Sequence, residues 1–256
     1  MIYFDLDMEN TQSVNFAEEK PEKCLFLFPL PITEDSGSRD YLGTSMLDML
    51  QHSRLIFAEN ERTARRFISS LKLGIRLDDI QIERFDKDSA PTEAERLVAL
   101  IKGTGPALLM SEAGCPGIAD PGALLVEACH RHGIRVIPLV GPSSILLALM
   151  SSGLSGQNFA FHGYLPVDKT ECSKKIRQLE SDSQKENRTQ IFIETPYRNA
   201  AVWERLLENL RPDTRLCCAS GIGSQEEEIH QKKVSEWKKA SGPEWKKIPA
   251  VFLFMA

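Results

Sequence analysis

Two α/β domains are the fold that this 256-residue sequence predicts, and three observations carry that expectation. Short apolar runs alternate with helical patterns through the first half, a rhythm that implies a parallel sheet with right-handed crossovers. A nearly all-apolar helical segment, PSSILLALMSSG, opens the second half, and more strand-like runs follow it. The chain is long enough for two cores, and its 42% hydrophobic and 26% charged residues exclude wholesale disorder.

Residues 1–23 read as a polar extension. CLFLFPLP (24–31) is a buried strand stopped by prolines, followed by the polar loop ITEDSGSRD. Met46, Leu47 and Leu50 mark a helix, RLIFA (54–58) a strand, ERTARRFISSL a helix ending near Gly74, and IQIERF an alternating strand. SAPTEAERLVALIKG starts at Ser89 and Pro91, buries Leu97, Val98 and Ile101, and stops at Gly103. PALLM (106–110) is the next buried strand. In DPGALLVEACHRHG, Asp120 suits the N-cap, Pro121 the first helical position and Gly133 the C-terminal cap. IRVIPLV (134–140) closes a first domain of residues 24–140. The second, 141–256, continues with a buried apolar helix and the strands FAFHGYLP, TQIFIETP, TRLCCAS and IPAVFLF. Between these lie a charged stretch, KTECSKKIRQLESDSQKENR, and an amphipathic helix, AVWERLLENL. EEEIHQKKVSEW reads as a solvent-facing strand or hairpin.

Several function classes are disfavoured by composition. The six cysteines form no C-x-x-C pair, so zinc and redox motifs are absent and reduced structural thiols are expected. His130 and His132, two apart on a helix, point to nearly opposite sides and should not share a metal. No apolar run reaches the roughly 18 residues of a membrane span, and the acidic N-terminus lacks the basic start of a signal peptide. A cytoplasmic location is therefore expected. A net charge of −5 argues against a general nucleic-acid coat protein but permits local basic patches. Candidates are Arg62, Arg65 and Arg66, which share a helical face, and the lysines of HQKKVSEWKKASGPEWKK; ordinary solvated faces are the alternative.

Ligands of open α/β sheets bind beyond the carboxyl ends of the strands. Two loops qualify. SEAGCPGIADPG (111–122) is long and rich in small residues, so that a ligand can reach the main chain at Ala113, Gly114, Gly117 and Ala119. VGPSS (140–144) opens the apolar helix with free N–H groups.

These loops also carry a resemblance. SEAGCPGIADPG followed by GPSSILLALMSSGLSGQNFAFHGYLP resembles the central motif of the tetrapyrrole methylases, most nearly the small-subunit ribosomal RNA methyltransferase I type. AENERT is similar to that type's alanine-glutamate-aspartate-threonine-arginine run, with Glu59 and Arg62 in register, and ETPYR (194–198) to its glutamate-serine-proline-histidine-arginine run. The likeness covers about residues 24–255. It implies two α/β domains with S-adenosylmethionine in the cleft between them, a homodimer, no metal, and 2'-O-methylation of ribose in small-subunit ribosomal RNA. Carried over by position, the donor-binding residues are Pro29, Glu112, Ala113, Gly114, Cys115, Ile118, Ser143, Ser144, Glu194, Thr195, Gly221, Pro249 and Ala250. Arg62, Arg65, Arg66 and Arg198 are the expected substrate contacts.

A hydroxyl acceptor benefits from a general base; Glu59, Glu112 and Glu194 are the carboxylates at motif positions, with capping, ion pairing or donor contact as the alternative for each. The chain departs from the type where PLPITEDSGSRD places Thr33 and Glu34 at glycine and asparagine positions, with Asp35 beside them. Glu112 replaces an aspartate and Cys115 a threonine. The chain stops at Ala256, where the last core strand should end, without that type's usual C-terminal extension. Two alternatives stand beside the RNA reading: methylation of a small, porphyrin-like molecule, and a non-catalytic donor-binding protein.

Overall fold

A computed structural model describes residues 23–33, 42–245 and 247–256. Glu34, Asp35 and most of the polar extension lie outside the described residues. By their contacts the residues form two compact units. One contains the first strand, Leu42–Glu112 and Pro116–Leu139; the other contains Val140–Ala256 and also takes residues 29–33 and Ala113–Cys115.

The first unit is built on β1 (Cys24–Leu27), β2 (Leu55–Ala58), β3 (Gln81–Arg84), β4 (Ala107–Met110) and β5 (Arg135–Pro138), in the order β3-β2-β4-β1-β5. Every neighbouring pair is parallel. The three inner strands are buried almost throughout, which is why they read as unbroken apolar runs, whereas the edge strands β3 and β5 are not. The helices are α1 (Thr44–His52), α2 (Glu61–Ser70), α3 (Pro91–Thr104) and α4 (Gly122–Arg131). Leu97 and Ile101 of α3 and Leu125 of α4 join Leu25, Phe57 and Leu109 of the sheet in one core. Pro91 does begin α3, but the Ser89 hydroxyl accepts from Asp86 N–H instead of capping the helix, which runs past Gly103 to Gly105 (φ 115°). α4 starts one residue later than expected. The Asp120 carboxylate still serves its first turn, accepting from Gly122 N–H and Gly117 N–H at 2.7 Å each.

The second unit contains α5 (Ser144–Ser151), β6 (Phe159–Phe161), α6 (Lys169–Glu186), β7 (Thr189–Glu194), α7 (Asn199–Asn209), β8 (Arg215–Ser220), β9 (Glu228–Lys233), α8 (Val234–Trp237) and β10 (Ala250–Met255). Its sheet order is β6-β7-β10-β8-β9; β6 and β7 are parallel and the other pairs antiparallel. Alternation sorts its side chains: Phe252 and Phe254 of β10 pack with α6 and α7 on one face, Val251 and Leu253 with α5 on the other.

Two expectations change here. The charged stretch is the 18-residue helix α6, capped by the Asp168 carboxylate accepting from Thr170 and Glu171 N–H. Its buried stripe of Cys172, Ile176, Leu179 and Ser183 has helical spacing but is thinly apolar, so the charges hide it. α5, expected to be buried all round, covers Ile145, Ala148 and Leu149 but leaves Leu146 and Met150 50% and 79% exposed. None of the six cysteines forms a disulfide, and five are buried. Burial pushes Cys24 and Cys129 up to about 11 and Cys217 to about 12, which keeps them protonated and unreactive at neutral pH.

Candidate active site

The loop after β4 is fixed by its own main chain. Gly114 forms a two-way bridge with Leu30, its N–H donating to Leu30 O at 3.1 Å and Leu30 N–H donating to Gly114 O at 2.9 Å. It holds φ 69°, a left-handed conformation that favours glycine, and a Cβ would lie 3.3 Å from Pro142 O. The Cys115 thiol donates to Pro142 O at 3.3 Å, tying this loop to the one before α5. Gly141 has no room for a side chain because a Cβ would overlap the ring of buried Pro29. The PLP segment and both small-residue loops are thus braced together by contacts that the sequence could not show.

Ser143, in an extended conformation, is the N-cap of α5, and its own side chain makes no capping hydrogen bond. The first N–H groups of a helix have no intrahelical acceptor, which suits such a terminus to an anion or polar ligand. Ile118, on the same motif, is 53% exposed, and Glu112 and Ala113 are also exposed.

Three distant segments meet at one end of the second sheet. Glu194 ends β7, Ser220 ends β8, and Ala250 begins β10 opposite both of them. The motif residues Thr195, Gly221 and Pro249 are the chain neighbours of that row. Gly221 (φ 62°) begins a tight turn in which Ser224 N–H and hydroxyl donate to its carbonyl; a Cβ would come within 2.7 Å of Glu226 O. Asn199, buried at the start of α7, donates to Ile248 O at 2.9 Å and steadies the approach to Pro249. Asn199 was not foreseen, because nothing in ETPYRN separates a brace from a cap.

The three candidate carboxylates differ. Glu59 Oε2 accepts from Glu112 N–H at 3.2 Å, and Glu112 Oε1 accepts from Asn60, whose own Oδ1 caps α2. Burial, and then the charges of Asp120, Glu112 and Asp86, push Glu59 above the usual carboxylate range, against the opposing bond from Glu112 N–H. Glu194 is fully enclosed: Oε1 accepts from Thr195 N–H and hydroxyl, and Oε2 lies 3.3 Å from Arg198 Nη2.

The arginines separate likewise. Arg62 and Arg66 are exposed on α2 and Arg65 half-buried beside them. Arg198 is turned inward, donating to Leu165 O and Pro166 O at 3.2 and 3.1 Å. A shallow polar pocket of about 370 Å³, lined by residues including His52, Arg54 and Arg76, holds none of the expected site residues. Among the described residues there is no cluster of three or more metal-ligating side chains and no helix long and apolar enough to cross a membrane.

Residues 36–238 match the family of Tetrapyrrole (Corrin/Porphyrin) Methylases. The chain belongs to this family. It is similar to the ribosomal RNA small subunit methyltransferase I of Thermotoga maritima, 30% identical over 200 residues that cover 78% of this chain and 85% of the relative. The protein of that name from Escherichia coli O157:H7 is 30% identical over 83% of this chain and 70% of its own. For the one from Buchnera aphidicola subsp. Baizongia pistaciae, 29% identical, the match spans 72% of this chain but only 59% of the relative. The methyltransferase CobJ has a similar fold, with a TM-score of 0.60 and 17% identity over 91% of this chain and 94% of its own. A uroporphyrin-III-C-methyltransferase from Thermus thermophilus gives 0.51 and 18% over 91% and 92%. Membership makes the chain a methyltransferase, with S-adenosylmethionine as the family's donor.

Proposed function

We propose that the chain transfers the methyl group of S-adenosylmethionine to a ribose 2'-hydroxyl of small-subunit ribosomal RNA, with the motif residues around Gly114, Ser143, Gly221 and Ala250 contacting the donor. The observation that carries the donor half is Gly114: buried, left-handed and bridged to Leu30, it brings main chain where a side chain would intrude. The first turn of α5 fits the same ligand, since the Ser143 side chain does not cap it and a helix's first N–H groups lack intrahelical acceptors. The acceptor half rests on the relatives' names and on the solvent exposure of Arg62 and Arg66 on α2.

The donor supplies an electrophilic methyl on a sulfonium. The chain's part is to hold the acceptor hydroxyl at near-attack distance and exclude competing water. Glu59 suits the acceptance of the hydroxyl proton, because a carboxylate raised by burial is a stronger base near neutral pH. Glu194 suits a structural role, its oxygens facing Thr195 and Arg198. The proposed phosphate contacts are Arg62, Arg65 and Arg66; Arg198, proposed on the same acceptor side, has its Nη2 bonded to Leu165 O and Pro166 O. Self-association as a homodimer fits the uncovered apolar residues Leu146 and Met150, and the cytoplasm fits a ribosomal acceptor.

The test is transfer of labelled methyl from S-adenosylmethionine to purified small ribosomal subunits. Replacing Arg62, Arg65 and Arg66 together with Ala should cut transfer strongly and flatten its salt dependence, leaving donor affinity unchanged. No transfer by the unaltered protein, at any salt concentration or assembly state, would remove the RNA acceptor.

A further inference from the structure

Two tyrosines stand exposed beside the row of motif residues at the end of the second sheet. β6 and β7 run parallel, so both loops leave the same edge, and Ile193 N–H donates to Gly163 O at 2.9 Å as the last rung between them. Gly163 then takes φ 65° and turns the chain, burying Leu165 but leaving Tyr164 56% exposed. On the neighbouring loop, Arg198 N–H donates to Thr195 O at 3.0 Å, closing a four-residue turn with Pro196 and Tyr197 at its centre. Tyr197, at the tip, is 92% exposed.

The two loops are locked to each other. The Arg198 guanidinium reaches from the Tyr197 turn to the carbonyls of Leu165 and Pro166 and sits against the buried Glu194 carboxylate. Pro196 removes backbone freedom at the turn. On a proline-fixed, arginine-braced turn the backbone is already ordered, so binding has only the side chain left to immobilise. An aromatic ring presents a flat apolar face and, in Tyr, a polar edge. The partner suited to such a face is another flat ring, and unpaired bases of RNA are commonly held on exposed aromatics.

We infer that Tyr197, with Tyr164 on the loop joined to its own, is a stacking platform for an unpaired base of the RNA acceptor, and that Arg198 is the residue that positions it. This rests on the RNA reading proposed above. It assigns a job to the fifth residue of ETPYR that differs from a phosphate contact.

The experiment measures methyl transfer to purified small ribosomal subunits, together with binding of a labelled single-stranded oligouridylate by fluorescence anisotropy. Tyr197→Ala should raise KM for the subunit by about 5- to 150-fold, the range that one lost base stack implies. It should weaken oligouridylate binding in parallel, with kcat and the Kd for S-adenosylmethionine within about twofold of the original. Tyr197→Phe, which keeps the ring, should restore both. Normal KM and oligouridylate binding in Tyr197→Ala, while the unaltered protein methylates subunits, would overturn the platform and leave the RNA reading standing. Failure of Tyr197→Phe to rescue, a matching loss of donor affinity, or tighter binding of a porphyrin than of oligouridylate would also overturn it. No transfer to subunits and no oligouridylate binding by the unaltered protein would overturn both.

Discussion

The two sheets carry their share of the motif residues in different ways. After β4 of the first sheet, the expected contacts follow one another along a single loop, residues 112–118, as a parallel strand-to-helix connection requires. In the second sheet they come from three stretches, at 194–195, 221 and 249–250, and become neighbours only through the register that sets Ala250 opposite both Glu194 and Ser220. A parallel sheet writes its ligand loops contiguously, whereas a mixed sheet assembles them from strand ends that the sequence keeps far apart.

The largest effects should come from the cores that hold these strand ends. Phe252 of β10 is fully buried and stacks on Phe192 with ring centroids 5.5 Å apart. Phe252→Ala should cost about 3–5 kcal/mol, and Leu109→Ala in β4 about 2–5 kcal/mol, measured by urea unfolding. A markedly smaller loss for Phe252 would mean that the register of the second sheet does not depend on β10 packing.

Next come the glycines. Gly114→Val forces a branched side chain into a left-handed backbone with its Cβ 3.3 Å from Pro142 O, and Gly221→Ala places a methyl group in a left-handed backbone 2.7 Å from Glu226 O. Each should lower S-adenosylmethionine affinity by about tenfold or more in calorimetry, the equivalent of roughly 1.4 kcal/mol. Loss at Gly114 alone would confine the donor contacts to the contiguous loop. In the unaltered protein, donor at 100-fold over its Kd should stabilise the fold by about 2.7 kcal/mol.

The smallest effect concerns Glu59. Its folded-state pKa is raised, so its ionisation works against folding: the strain is absent below the ordinary carboxylate range and grows as pH rises through the raised value. Glu59→Gln keeps an acceptor for Glu112 N–H and removes the charge. The variant should therefore gain stability relative to the original as pH rises above the usual carboxylate range, while methyl transfer falls. A constant stability difference across that range would show that Glu59 is not perturbed.

Much of the first sheet was legible in the sequence, because its inner strands are unbroken apolar runs and its loops are marked by Pro and Gly. Gly114 could be singled out for the same reason. The brace of Gly141 on Pro29 could not, since it joins residues more than a hundred apart by shape alone. α6 escaped notice because its buried stripe is Cys172, Ile176, Leu179 and Ser183 beneath a charged face. Arg198 matches a motif position, yet besides Glu194 its partners are two backbone carbonyls that no residue type announces.

The central claim is most directly tested by nucleoside analysis of small-subunit RNA after incubation with the protein and isotopically labelled S-adenosylmethionine. Label is expected in one 2'-O-methylated nucleoside per particle. Label on a base, or in a porphyrin and not in RNA, would contradict it.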